Sequence, residues 1–270
     1  MRRWAWAMCV CALPVSPAAA CTFADLDFAE QAIAANRLIQ AQEMLEAATA
    51  ACANEEQYLG LAASLRLKQG ELADARSRFE ALAVAHPQNP DYASGAGRAA
   101  LRQADNAAAL DWLLRATQMP DADWEAWSSL GIVLDIRRQW NESALAYEQA
   151  LALAPNEASI WNNRGYSLVM QRRAEEALPF LQAAQRLAPD DPRVERNRLI
   201  AEGMLGNYPQ YQFPAESARD WASRLNNAGY GAMLAGNHED ADRLFNQAIE
   251  ASDVFFARAE RNRRMNEEAQ

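Results

Sequence analysis

Two histidines, His86 and His238, are all the imidazole chemistry that this 270-residue chain offers. Both fall where one helical pattern gives way to the next. A structural or catalytic zinc site needs three or four His, Cys or carboxylate ligands at set spacings. Neither histidine has a second His, Cys or Asp at such a spacing. The glycines form no phosphate-cradling loop. These residues point to no catalytic centre, no metal and no cofactor, and so to binding rather than turnover.

The sulfur chemistry centres on Cys21 and Cys52, and two readings are open. In the first, a peptidase cuts before Cys21 in "AAAC" and a lipid is attached to its sulfur. The small residues suit that cut, but Ala18 stands where such signals usually carry Leu. A helical pattern also begins near Asp25, which leaves little tether. In the second, the cut follows Ala20 as in an ordinary leader, and Cys21 bonds Cys52. The two cysteines would open the first helix and close the second helix of one antiparallel hairpin, so their ends would meet. The loop closed would be 52 − 21 = 31 residues, worth about 3–4 kcal/mol in the chain-entropy estimate. Such a bond persists only in an oxidising compartment.

Export is expected from the first 20 residues, "MRRWAWAMCVCALPVSPAAA". Arg2 and Arg3 form a charged start, an apolar run follows, and Ala18 to Ala20 supply small residues for cleavage. The apolar run is too short to span a bilayer, so the membrane enters only through a lipid anchor at Cys21. The formal charge is −10, or −12 without Arg2 and Arg3 (24 Lys+Arg against 36 Asp+Glu). Nucleic acid needs a basic face, so it is not an expected partner.

The elements that must position any site repeat. With Trp127, Trp161 and Leu225 in register, Gly131, Gly165 and Gly229 stand four residues on, and Tyr147, Leu181 and Phe245 stand 20 on. Ser143, Ala177 and Ala241, then Ala150, Ala184 and Ala248, keep the same phase. Pro155 and Pro189 close two of the units. Two earlier units fit through Ala63, Ala75, Phe79 and Pro87, and through Gly97, Ala109, Leu113 and Ala116. Ala-rich, Pro-poor composition favours helices. Each unit reads as two amphipathic helices with a break at Gly70, Arg138 or Gly236. One pair cannot bury its apolar face alone, so neighbours must stack.

This large–small–large pattern resembles the tetratricopeptide repeat (TPR). The resemblance implies an all-α solenoid of five to seven stacked hairpins whose first helices line a concave groove. Inward positions would include Arg98, Ser128, Ile132, Asn162, Tyr166, Arg193, Arg196, Asn226 and Tyr230. Of these, Arg98, Asn162, Tyr166, Arg193, Arg196, Asn226 and Tyr230 are the candidate partner-binding residues. Asn can bond an extended backbone, and Tyr offers an apolar body with a polar tip. Asn163 and Asn227, beside two of them, are expected to bond a neighbouring turn. Chaperone-binding TPRs clamp a terminal carboxylate with several Lys. This chain has only Lys68, in a turn, so no chaperone tail is expected.

The pattern breaks once. Trp161 to Leu225 spans 64 residues rather than 68. The unit near 192–216 therefore reads as degenerate: a first helix, then an irregular loop over 206–216 carrying Pro209, Pro214, Tyr208, Tyr211 and Phe213, then a long helix from about Ala215. The expected organisation is a leader over 1–20, a solenoid over 21–205, the loop over 206–216, and a terminal repeat with a capping helix over 217–270. Phe255 and Phe256 would cover that last repeat.

The whole layout, with "RLIQAQEMLEAA" near the start, "RVERNRLIAEGMLGNY" before the break and "RLNNAGYGAMLAGNHEDADRLFNQAIEAS" after it, resembles the TadD-type lipoproteins of tight-adherence (Flp) pilus assembly. That resemblance implies a periplasmic or outer-membrane-tethered assembly factor without enzyme activity, with a pilus secretin or another assembly component as partner. It also favours lipid on Cys21. A generic envelope adaptor, or a regulatory partner for cell-wall or polysaccharide machinery, is the alternative.

Overall fold

The computed structural model describes residues 21, 23–252 and 256–269. The expected leader, Asp253 and Phe255 lie outside them. The described residues form fourteen helices. They are α1 (Phe23–Ala34), α2 (Leu38–Cys52), α3 (Glu56–Gln69), α4 (Leu72–Ala85), α5 (Pro90–Arg102), α6 (Asn106–Thr117) and α7 (Trp124–Ile136). They continue as α8 (Trp140–Leu153), α9 (Ala158–Met170), α10 (Ala174–Leu187), α11 (Pro192–Met204), α12 (Ala218–Leu234), α13 (His238–Ala251) and α14 (Ala257–Glu268). Six antiparallel hairpins stack in order, α11 lacks a second helix, and α14 caps the end.

The repeat length is visible in the backbone. The first helices α3, α5, α7, α9 and α11 begin at residues 56, 90, 124, 158 and 192, steps of 34. Left-handed residues follow the same step at Asn36, Gly70, Ala104, Arg138, Arg172 and Gly206, each just after a first helix. A seventh is Gly236. Within each hairpin the left-handed residue reverses the chain so that the second helix can fold back on the first, and Asp121, between α6 and α7, is left-handed as well.

Helix starts are local. Asp123 caps α7 by accepting from the Ala126 N–H at 2.6 Å, and Asp191 caps α11 by accepting from the Arg193 N–H at 2.8 Å. Pro90 and Pro192 occupy first turns, where no backbone donor is needed. Pro155 and Pro189 lie just past α8 and α10.

Within each hairpin, a small residue on the first helix admits a large one from the second. A Cβ added to Gly131 would lie 2.7 Å from the Tyr147 ring. One on Gly165 would lie 2.6 Å from Leu181 Cγ, one on Gly97 2.6 Å from Leu113 Cγ, and one on Gly229 2.9 Å from the Phe245 ring. Tyr147, Leu181, Leu113 and Phe245 are all fully buried. Ala is used wherever a methyl fits: Ala63, Ala75, Ala109, Ala150, Ala177, Ala184, Ala241 and Ala248 have no exposed surface.

The degenerate unit keeps its first helix and its left-handed Gly206, then fails. Residues 205–217 form no helix. Pro209 and Pro214 cannot donate backbone hydrogen bonds and push their predecessors away from helical geometry. The next helix begins at Ala218, three residues later than the sequence suggests. The Ser217 hydroxyl accepts from the Asp220 N–H at 3.1 Å and sets the start there. With no second helix between them, α11 and α12 touch backbone to backbone. A Cβ on Gly231 would meet the Ile200 carbonyl oxygen, and one on Gly203 would meet the Ala228 carbonyl oxygen.

Candidate functional site

The first helices form one layer and share a set of side-chain clasps. The Gln57 amide donates to Asp27 at 3.4 Å across α1 and α3. Tyr92 donates its hydroxyl hydrogen to Glu56 at 2.9 Å across α3 and α5. Arg98 holds Glu125 by two bonds of 2.8 and 2.9 Å across α5 and α7. Asn163 donates to Ser128 Oγ at 3.4 Å across α7 and α9, and Asn197 donates to Asn162 at 2.9 Å across α9 and α11. Asn262 donates to Asn226 at 2.9 Å across α12 and α14, which places α14 in a first-helix position.

These bonds redefine several candidate groove residues. Asn162 and Asn226 are only 8% and 1% exposed and are committed to neighbouring helices. Their amides join repeats rather than meet a peptide. Asn163 and Asn227, expected to bond a neighbouring turn, instead bond within the same layer: Asn163 reaches Ser128, and Asn227 accepts from Asn226 at 3.4 Å. Arg98 is occupied by Glu125. Arg193 turns back onto Asp191, the cap of its own helix, at 2.7 Å.

Three candidates remain near one another: Tyr166 and Arg196 are exposed, and Tyr230 is half-buried against the cores on either side of α12. Tyr166 on α9 is 40% exposed. Arg196 on α11 and Tyr230 on α12 stand close enough to act on its ionisation. Partial burial pushes the Tyr166 phenol above its ordinary value, Tyr230 adds to the shift, and the Arg196 guanidinium opposes it. Arg196 also donates from Nε to Asn197 at 3.3 Å, which orients the guanidinium. One exposed phenol, one half-buried phenol and one cation from three successive first helices thus form a small amphipathic platform.

At the other end the same layer encloses a concavity of about 850 Å³, which residue-by-residue reading of the sequence missed. Its lining comes mainly from α1, α3, α5 and α7, with Phe79 contributed by α4. The apolar part includes Leu26, Ile33, Leu61, Phe79 and Tyr92, and the polar part is dominated by acids. The available signal was charge: Glu30, Glu56, Asp91 and Glu125 recur on successive first helices.

The irregular segment is pinned rather than loose. Arg224 of α12 bonds Glu216 at 2.9 Å and lies over the Phe213 ring at 4.4 Å. Tyr211 packs edge-on against Phe213 with 5.6 Å between centroids, and both rings are exposed. Tyr208 turns inward and donates to Asp240 at 3.1 Å.

The remaining candidate chemistry is structural. His86 pairs with Glu56 at 3.1 Å, and His238 Nδ1 lies 2.7 Å from Asn266. Among the described residues no group of three His, Cys, Asp or Glu side chains could hold a metal ion, and no helix is long and apolar enough to cross a membrane. Cys21 and Cys52 form a disulfide with their Cα atoms 5.0 Å apart. A lipid thioether would need the same Cys21 sulfur, so this bond is incompatible with the anchored alternative.

Comparison with known proteins agrees with this geometry. The tetratricopeptide-repeat family model matches residues 61–126 and 129–192. No curated protein sequence matches the chain significantly. A thermophilic TPR protein of Thermus thermophilus superposes with a TM-score of 0.58 at 20% identity, over 66% of this chain and 97% of its own. A tetratricopeptide repeat protein of Parabacteroides merdae gives 0.54 at 13% identity, over 90% of this chain and 98% of its own. At these identities the likeness speaks for the fold alone. With the 34-residue step and the pairs of a glycine with a large residue in agreement with the matched model, the chain carries tetratricopeptide repeats over residues 61–126 and 129–192 and has the fold of a tetratricopeptide-repeat solenoid.

Proposed function

We propose that this protein is an exported, non-enzymatic scaffold that binds a protein segment along its first-helix layer and assists assembly of a tight-adherence (Flp) pilus apparatus. The observation that carries the binding role is the convergence of Tyr166, Arg196 and Tyr230 from three first helices. Flat amphipathic rings beside a cation suit a peptide with both apolar and acceptor groups. Export is supported by the Cys21–Cys52 disulfide, since such bonds persist in oxidising compartments. The pilus assignment rests on the resemblance of the sequence layout, including the broken unit before Asn226 and Asn227. The second reading, an envelope adaptor for cell-wall or polysaccharide machinery, uses the same surface.

The test is affinity capture from envelope extracts with the full chain and with a Tyr166→Ala/Tyr230→Ala variant. The proposal expects pilus secretin or assembly components in the wild-type eluate and their loss from the variant, with the melting temperature little changed. Capture of wall or polysaccharide enzymes instead selects the second reading. Retained capture by the Tyr variant, with loss in Phe213→Ser, would move the function to the irregular segment.

A further inference from the structure

The concavity between α1 and α7 has an unbalanced charge. Its lining carries six acids, Glu30, Glu55, Glu56, Asp91, Asp123 and Glu125, against Lys68 and Arg98. The one guanidinium is already spent on Glu125, held at 2.8 Å. Glu56 is engaged by Tyr92 and His86, and Asp123 by the α7 backbone. Among the described residues no ion pair is formed by Glu30, Glu55 or Asp91.

The imbalance is felt inside the groove. Asp91 keeps an exposed surface at the mouth, yet the enclosing walls thin its hydration enough to push its carboxyl up. Glu125 and Glu30 repel its negative charge and push it the same way, while Arg98 opposes them. Asp123 is raised too, by burial first, with Asp91 adding to the effect. Acids from α1, α5 and α7 therefore line one concavity and act on one another electrostatically. Beneath them lies an apolar floor: Leu26, Leu61, Phe79 and Tyr92 are buried.

A cavity of this kind has a definite complement. A lone metal ion would not use the apolar floor, and an anionic segment would add to the repulsion. A cationic side chain flanked by an apolar one meets both features, placing charge at the mouth and hydrocarbon on the floor. We propose that the α1–α7 half of the groove is a docking site for an extended partner segment that inserts a Lys or Arg side chain between Glu30 and Asp91. This rests on the reading of the first-helix layer as the binding face, and it assigns the N-terminal half a different specificity from the Tyr166–Arg196–Tyr230 platform.

The test uses the full oxidised chain and two fluorescein-labelled nonapeptides, Gly-Ser-Leu-Arg-Leu-Arg-Leu-Ser-Gly and the same peptide with Glu for Arg, read by fluorescence anisotropy. The Arg peptide should bind and the Glu peptide should not. Binding should weaken at least tenfold between 50 and 500 mM NaCl, as expected for exposed charges (about 10 Å screening length near 0.1 M salt). Glu30→Lys/Asp91→Lys should weaken the Arg peptide at least tenfold and leave the circular dichroism spectrum unchanged. If the Lys variant does not fold, Glu30→Gln/Asp91→Asn should still weaken it about threefold. Equal binding of the two peptides, or an unchanged Kd in whichever variant folds, overturns the proposal. Tyr166→Ala/Tyr230→Ala should leave Arg-peptide binding intact. Failure of envelope capture in that variant therefore bears on the scaffold reading, and failure of the peptide assay on this one.

Discussion

The left-handed turns make a reciprocal prediction about stability. Ala104, Arg138 and Arg172 sit at φ values of 61°, 58° and 61°, while the equivalent positions in other units are Asn36, Gly70, Gly206 and Gly236. A side chain in the left-handed region costs about 1–2 kcal/mol from the clash of Cβ with the backbone. Replacing it by Gly relieves that clash but frees the unfolded chain, which gives back about 0.4–1 kcal/mol. The net gain is about 0.5–1 kcal/mol at each site. All three side chains are exposed, so little packing is lost. The sites are 34 residues apart and distant sites add, so Ala104→Gly/Arg138→Gly/Arg172→Gly should gain about 1.5–3 kcal/mol. The inverse test is Gly236→Ala. A Cβ there meets nothing within 4 Å, so any loss is conformational and should be about 0.5–1 kcal/mol. Urea unfolding followed by circular dichroism at 222 nm reads both as midpoint shifts at constant slope. A fall in midpoint for the triple variant, or a rise for Gly236→Ala, would refute the reasoning.

Gly131→Ala should destabilise by about 1–3 kcal/mol, because the new methyl would press on a Tyr147 ring fixed by its 2.9 Å bond to Asp135; thermal unfolding checks it. Reducing Cys21–Cys52, or Cys52→Ser, should cost about 3–4 kcal/mol for the 31-residue loop. No change in the melt on adding reductant would exclude that bond, and intact mass two protons below the thiol form would confirm it. Asp91→Asn should stabilise at neutral pH. Its carboxyl is raised by burial and by Glu125 and Glu30, so the folded state disfavours the charge. The penalty is absent below the unfolded value, where both states are protonated, and is fully present once pH exceeds the raised folded value. The difference between variant and wild type should therefore vanish in acid, as melts across pH would show.

Much of the architecture was legible because the repeat is written in residue size. Gly131, Gly165 and Gly229, each sixteen residues before a large residue, announce a close helix crossing, and the crossing occurs at those pairs. Pro209 and Pro214 announce the interruption. The start of α12 was legible only to within a turn, since Ala215 and Ala218 suit a helix equally and the Ser217 cap decides. The site was read less well. Inward-facing phase can be counted along a helix, but whether an Asn meets solvent or the next helix depends on the distance between repeats. Asn162 and Asn226 were in phase and yet are sealed. The acidic concavity was hidden for a related reason: its members are scattered from Glu30 to Glu125, and only the stacking of the first helices brings them together.

The glycine contact between α11 and α12 can be viewed as a stacking fault in a one-dimensional crystal. Elsewhere, successive layers are separated by side chains, which can be exchanged, tilted or repacked as a sequence drifts. At the fault the spacer is gone, and peptide groups at Gly203 and Gly231 meet directly. Peptide groups have no rotamers, so this joint has no slack. The angle at which α12–α14 depart from the preceding stack is thus held by two hydrogen atoms, one on each glycine, and the placement of the molecule's last three helices is inherited from the smallest side chains it contains.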